Sequence, residues 1–176
     1  MAILAVALVS MTTTLAVTNA GSSPNRMRAV CGVERWLVKT LQDRPRLLPV
    51  RSATVGFLVH RPVPVPRPVG RAPFERLVFR VDAAVTLVQQ EPDGDLHVVL
   101  GDGGQTMIAE APSPSCNGGA TALRRRQVAN ARAAARVCRR ATVTGVAFFD
   151  FFHRQTGVAP NAIELHPLLD FTCHAT

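Results

Sequence analysis

The longest alternation of apolar and polar side chains runs from Phe74 to Gln90, where Leu77, Phe79, Val81, Ala83, Val85 and Leu87 occupy every second position. A period of two puts these side chains on one face of an extended chain, so the run predicts a long strand with one buried face. Glu91-Pro92-Asp93-Gly94-Asp95 follows as a turn, with glycine where a positive φ is wanted, and Leu96 to Leu100 is the returning partner of a hairpin. Asp102-Gly103-Gly104 turns the chain again into Thr106 to Ala111, a third strand stopped by Pro112 and Pro114. Ala120 to Arg140 is dominated by Ala and Arg and free of Pro and Gly. Leu123, Val128, Ala131, Ala135 and Cys138 form a rough apolar stripe along it, so it predicts a helix. The β-branched and aromatic stretch Thr142 to Phe152 predicts a fourth strand, His153 to Asn161 a loop, and Ile163 to Phe171 a fifth strand.

Strand, strand, strand, helix, strand, strand is the order of an OB-fold. The expected fold is therefore mainly β, an OB-like five-stranded barrel with one α-helix between strands three and four. Upstream, Glu34 to Thr40 alternates well enough to predict a strand carrying Trp36, and Ala53 to Val59 predicts another short strand. Between Arg61 and Pro73, the prolines 62, 64, 66, 68 and 73 are interleaved with Val and Arg. Such spacing excludes a helix or a central strand and predicts an extended, polyproline-type connection. Residues 21–73 are thus expected to be an N-terminal extension, and 74–173 the OB-like domain.

The chain has 176 residues, enough for one modest core, and its 47% hydrophobic and 18% charged content excludes a disordered polyelectrolyte. Met1 to Pro24 carries no charged side chain, and Ala2 to Val17 is apolar apart from Ser10 and Thr12 to Thr14. With Thr18-Asn19-Ala20-Gly21 after it, this segment is expected to be a signal peptide covering residues 1–20. Its removal would leave a secreted or cell-envelope protein with no stable membrane insertion. Cys31, Cys116, Cys138 and Cys173 lie beyond it, and an even cysteine count in an exported chain implies two disulfides. Of the three pairings, Cys116 with Cys138 across the helix and Cys31 with Cys173 between the ends are expected. No C-x-x-C pair is present to suggest zinc held by thiolates, and no cofactor or metal is assigned.

Lys and Arg number 20 against 12 Asp and Glu, a net charge of +8. Arginines concentrate between Arg44 and Arg76 and between Arg124 and Arg140, and no acidic residue lies between Ala111 and Phe149. An exported domain of this charge favours a polyanionic partner such as nucleic acid, anionic lipid or an acidic cell-wall polymer.

Candidate chemistry comes from Asp95, His97, Asp102, Glu110, Asp150, His153, Gln155, Asn161, Glu164 and His166. Strand parity puts Glu164 with His166, and Asp95 with His97, on shared faces. Histidines and carboxylates on neighbouring strands can hold a divalent ion or supply a general base, or can hydrogen-bond one another to fix strand register. Among Phe148, Phe149, Phe151 and Phe152, alternation sends two away from the core. Exposed, that pair would stack bases; covered by the extension, it would be packing.

Glu34-Arg35-Trp36, Val38-Lys39-Thr40, Asp95-x-His97 and Thr106-Met107-Ile108-x-Glu110 are followed by a long C-terminal signature. It reads Phe148-Phe149-Asp150-Phe151-x-His153-x-Gln155-Thr156-Gly157-Val158-Ala159-Pro160-Asn161-x-Ile163-Glu164-Leu165-His166-Pro167. Together these motifs resemble an uncharacterised family of small exported bacterial proteins, over most of the chain beyond residue 20. The resemblance implies export and a shared site but no reaction, and Arg154 and Ala162 stand where that family carries glycine.

The expected function is a non-catalytic binding module for an anionic polymer, nucleic acid or acidic polysaccharide, or for an envelope partner. Arg124, Arg125, Arg126, Arg132 and Arg136 would supply the electrostatics, while His97, Asp150, His153, Gln155, Asn161, Glu164 and His166 orient the ligand. The alternative is a metal-assisted, phosphodiesterase-like hydrolase using His97, His153, Glu164 and His166 around an ion. A structural envelope protein is a third expectation, and the sequence names no protein partner.

Overall fold

A computed structural model describes residues 31–32, 34–152 and 154–174; the expected signal segment and His153 lie outside the described residues. Among those described, the strands are β1 (Val50–Ala53), β2 (Val78–Gln90), β3 (Leu96–Asp102), β4 (Gln105–Ala111), β5 (Cys138–Phe149) and β6 (Ile163–Cys173). The helices are α1 (Trp36–Lys39), α2 (Val55–Val59) and α3 (Ala122–Ala134), with a 3-10 turn at Pro73–Arg76.

Alternation in β2 has its predicted consequence: Phe79, Val81, Ala83 and Val85 are buried, while Arg80, Asp82 and Thr86 are exposed. Strands pair in the order β2-β3-β4-β6-β5, and β5 returns to β2, closing a five-stranded barrel. All of these ladders are antiparallel except β4 with β6, where Ile108 faces Glu164 and Ala109 faces Leu165 in parallel. This is the OB-fold arrangement, with α3 between the third and fourth barrel strands. The length of β2 is explained by its double duty: Val78 to Val85 pairs with β5 and Ala84 to Gln90 with β3. β1 is an extra strand, parallel to the start of β2. Gly94 turns the first hairpin with φ 87°, a conformation that costs other residues strain.

Several local expectations are corrected. Glu34 to Thr40 is not a strand; Arg35 enters α1 with φ 48° and the chain turns helically over Trp36 to Lys39. Ala53 to Val59 is divided, because the Thr54 hydroxyl accepts from the Phe57 N–H and caps α2 where a continuing strand was expected. α2 is short and buries Val55, Leu58 and Val59, so its apolar run carried no periodicity that could separate helix from strand. α3 is capped by Thr121 as its sequence invites, but it stops at Ala134. Val128 and Ala131 are buried and Leu123 is 50% exposed, so the apolar stripe is narrower than expected.

The disulfides are Cys31–Cys116 and Cys138–Cys173, not the expected pairs. β5 and β6 run antiparallel with Ala141 opposite Cys173, which brings Cys138 to the same end of the ladder. Strand geometry thereby claims Cys138 and also ends α3 early. Cys116 is left for Cys31, whose neighbour Trp36 donates its indole N–H to the Cys116 carbonyl at 3.2 Å. Two disulfides in a folded chain indicate an oxidising environment.

The described residues between Cys31 and Pro73 contribute to the core. Leu41, Val55, Leu58 and Val59 join the hydrophobic core. Glu75, fully buried, pairs with Arg35 through both carboxylate oxygens and accepts the backbone N–H groups of Ala72 and Phe149. This fastens α1 to the barrel. No helix among the described residues is long and apolar enough to cross a membrane.

Candidate functional site: a buried His–carboxylate cluster and an arginine groove

Val98, Leu100, Ala109 and Leu165 belong to the barrel core, so by parity His97, Glu110, Glu164 and His166 lie on the outer face of β3, β4 and β6. That face is nevertheless buried, because α1, the 91–95 turn and the loop after β5 cover it. His97 and His166 are fully buried, and Asp95, Glu110, Asp150 and Glu164 nearly so.

His97 stands directly opposite Glu110 in the β3–β4 ladder. Its Nδ1 lies 3.1 Å from Glu110 Oε1 and its Nε2 lies 2.9 Å from the Thr156 carbonyl oxygen. Both ring nitrogens thus face oxygens that only accept, which the doubly protonated imidazolium alone satisfies. Burial would lower the His97 pKa, but the hydrogen bonds to Glu110 and Thr156 prevail and raise it. Glu110 receives from both histidines, and although burial would raise its pKa these contacts hold it well below the usual carboxylate range.

His166 Nδ1 lies 3.2 Å from Glu164 Oε1 and 3.3 Å from Glu110 Oε2, so this nitrogen carries a proton. Its Nε2 has no hydrogen-bond partner among the described residues and lies 3.8 Å from Asp95 Oδ2. Burial works against the charged ring, yet hydrogen bonds to Glu110 and Glu164 push its pKa up to about 10. Asp95, whose Oδ1 accepts from the Ser113 N–H at 2.9 Å, is pushed up to about 6 by burial, with His166 opposing. Burial pushes Glu164 up to about 7 against the pull of Lys39. Lys39 reaches in from α1, 2.5 Å from Asp150 Oδ2 and 3.9 Å from Glu164 Oε1. Burial opposes its charge, but Glu164 and Asp150 hold its pKa above the ordinary value. The ammonium and the Arg35 guanidinium both lie over the Phe148 ring, at 5.4 and 4.6 Å.

Asp95, His97, Glu110, Asp150, Glu164 and His166 are therefore brought together. A pocket of about 270 Å³ opens beside them, lined by Glu34, Trp36, Lys39, Glu91, Asp93, Asp95, Glu110, Asp150 and Gln155. Asn161 is not part of it: its Nδ2 donates to the Leu58 and Arg61 carbonyls and its Oδ1 accepts from the Ile163 N–H, pinning the loop to α2. Asp102 is in a separate depression with Arg140. The sequence reading missed Lys39 and Arg35 as members of the site. The signal for Lys39 was its being the sole lysine in an arginine-rich chain.

The basic residues gather elsewhere. Arg46, Arg76, Arg80 and Arg124 line a groove of about 900 Å³ between β1, β2 and α3, floored by Leu48, Val50, Val78, Thr144 and Leu169. It shares no lining residue with the acidic pocket. Thr144 is buried there, and its hydroxyl has no hydrogen-bond partner among the described residues. Of the helix arginines expected to supply electrostatics, Arg124 lines the groove. Arg125 instead donates to the Gly118 and Ala120 carbonyls, and Arg126 is exposed outside the groove. Phe148 and Phe149 are packed, while Phe151 and Phe152 are 43% and 64% exposed with the Arg67 guanidinium over both rings.

No protein-family model matches the chain, and no curated protein matches it. A solved structure assigned as an aspartyl-tRNA synthetase from Leishmania major Friedlin is similar over 69% of this chain at 14% identity, with a TM-score of 0.42. This chain spans 20% of that protein's length.

Proposed function

We propose that this chain is an exported, non-catalytic binding module for an anionic polymer, and that the polymer lies in the arginine groove. The observation that carries the reading is the segregation of charge. The outer barrel face, where OB-folds commonly bind strands and sugars, is lined here by carboxylates and repels a polyanion. The separate groove presents four guanidinium groups beside the exposed apolar side chains Leu48 and Val50 and the Thr144 hydroxyl, which has no hydrogen-bond partner among the described residues. Among its described lining residues Asp170 is the one carboxylate. Guanidinium forks suit phosphate, sulfate or carboxylate, and an apolar floor suits the flat faces of bases or sugar rings. The apolar N-terminus, the disulfides and the resemblance to a small exported bacterial family all favour a location outside the cytoplasm.

The test is titration of the oxidised chain onto a labelled single-stranded oligonucleotide and an acidic polysaccharide over a range of salt, with probe length checked afterwards. Four phosphate contacts predict a slope of roughly −3 in log affinity against log salt for a single strand. Arg80→Gln and Arg124→Gln should each remove roughly 0.7 from its magnitude. Absence of binding to both polymers, or slopes unchanged in these variants, contradicts the reading; a shortened probe would point to hydrolysis.

A further inference from the structure

We propose that Asp95, Glu110 and His166 form a binding site for a divalent transition-metal cation, reached through the acid-lined pocket. The argument begins with which atoms are already committed. Asp95 Oδ1 is held by the Ser113 N–H, Glu110 Oε1 by His97 Nδ1, and His166 Nδ1 by Glu164 Oε1, each at 2.9 to 3.2 Å. Each residue is therefore gripped on one side by a neighbour and presents a second atom to its companions. Glu110 Oε2 also touches His166 Nδ1 at 3.3 Å and keeps lone pairs beyond that contact.

The Glu164–His166 contact has the form that metal-ligating histidines use, in which a carboxylate takes one ring N–H and orients the other nitrogen toward the ion, whose binding displaces the proton that the charged ring otherwise carries on Nε2. That other nitrogen, His166 Nε2, is buried, lacks a hydrogen-bond partner among the described residues, and faces Asp95 Oδ2 across 3.8 Å. A buried nitrogen left without a partner carries a cost that a ligand would relieve. One donor atom from each of the three residues falls within 4.8 Å of the others. Two atoms bound to one ion at about 2.0 to 2.2 Å lie roughly 3 to 3.5 Å apart, so a small inward movement completes the set.

Charge supports entry. Among the described residues lining the pocket are six carboxylates, from Glu34, Glu91, Asp93, Asp95, Glu110 and Asp150, against the single ammonium of Lys39. This concentration, in a chain of net charge +8, focuses a negative potential that draws cations. The pocket volume of about 270 Å³ also leaves room for water to fill remaining coordination positions. An imidazole with two carboxylates suits Mn²⁺ or Zn²⁺ better than the all-oxygen preference of Mg²⁺ or Ca²⁺. His97 is not a ligand here, because both of its nitrogens are occupied, and Glu164 is a positioning residue that acts through His166.

The experiment uses the oxidised full chain after chelator treatment and dialysis, titrated calorimetrically with Mn²⁺, Zn²⁺, Mg²⁺ and Ca²⁺. Crystals grown with Mn²⁺ are then measured at the manganese edge. Expected are one ion per chain, Mn²⁺ and Zn²⁺ at least tenfold tighter than Mg²⁺ and Ca²⁺, and an anomalous peak touching Asp95, Glu110 and His166. Asp95→Asn should abolish the peak while keeping the Ser113 contact, and Glu164→Gln should weaken affinity by about 10- to 100-fold. No binding at millimolar metal, a peak elsewhere, or wild-type affinity in Asp95→Asn overturns the proposal. Should Asp95→Asn fail to fold, the anomalous peak in the unmodified chain decides alone.

Discussion

The Nδ1 of His97 lies 3.1 Å from Oε1 of Glu110, across the β3–β4 ladder, and Nε2 of the same ring donates to the Thr156 carbonyl oxygen. The folded-state pKa of His97 is raised above its unfolded value, so the charged ring contributes stability in full below about pH 6.5. That contribution is lost as pH rises through the folded-state pKa. In chelator-treated protein, the difference in thermal midpoint between the unmodified chain and His97→Gln should be largest at pH 6 and shrink toward pH 9. A difference that grows with pH would contradict the assignment of an imidazolium.

The Cys31–Cys116 bridge spans 85 residues of sequence and Cys138–Cys173 spans 35. Chain entropy alone predicts losses of roughly 4.6 and 3.8 kcal/mol when each pair is replaced by serine. Denaturant midpoints of the two double-serine variants should therefore both fall, the first further. Removing Cys31–Cys116 should also loosen α1 and with it the Lys39 contacts, so Trp36 fluorescence should shift to longer wavelength in that variant alone. Non-reducing peptide mapping that linked Cys31 to Cys173 would refute the pairing.

Ala162 has φ 54°, the left-handed region where a Cβ is costly. Ala162→Gly should stabilise the protein by up to about 1 kcal/mol, read as a raised denaturant midpoint. Gly145 is the converse case. A Cβ there would meet the Leu165 Cβ at 2.7 Å and the Pro167 carbonyl at 3.1 Å, where the β5–β6 register shifts. Gly145→Ala should lower stability by about 1 to 3 kcal/mol.

The barrel was legible because β2 to β6 carry long alternating or β-branched runs bounded by Gly and Pro turns. Short elements were not: α1 and α2 span four and five residues, too few for a 3.6-residue period to declare itself. Disulfide pairing depended on β5–β6 register, which sequence spacing does not encode. Within the site, parity placed Glu164 and His166 together, and the ladder added Glu110 opposite His97. Lys39 and Arg35 could not be placed, because they arrive from a segment docked across the outside of the barrel. Helix periodicity likewise grouped Arg124, Arg125 and Arg126, whereas the fold separates their roles by direction.

The most direct test of the central claim, that an anionic polymer occupies the arginine groove and not the carboxylate-lined barrel face, is amide chemical-shift mapping during titration with a single-stranded oligonucleotide. Perturbations should cluster at Arg46, Arg80, Arg124, Asn130 and Thr144 and disappear at high salt. Perturbations centred on Trp36, Asp95, Gln155 and Phe151 would instead place the polymer on the outer barrel face and contradict the account.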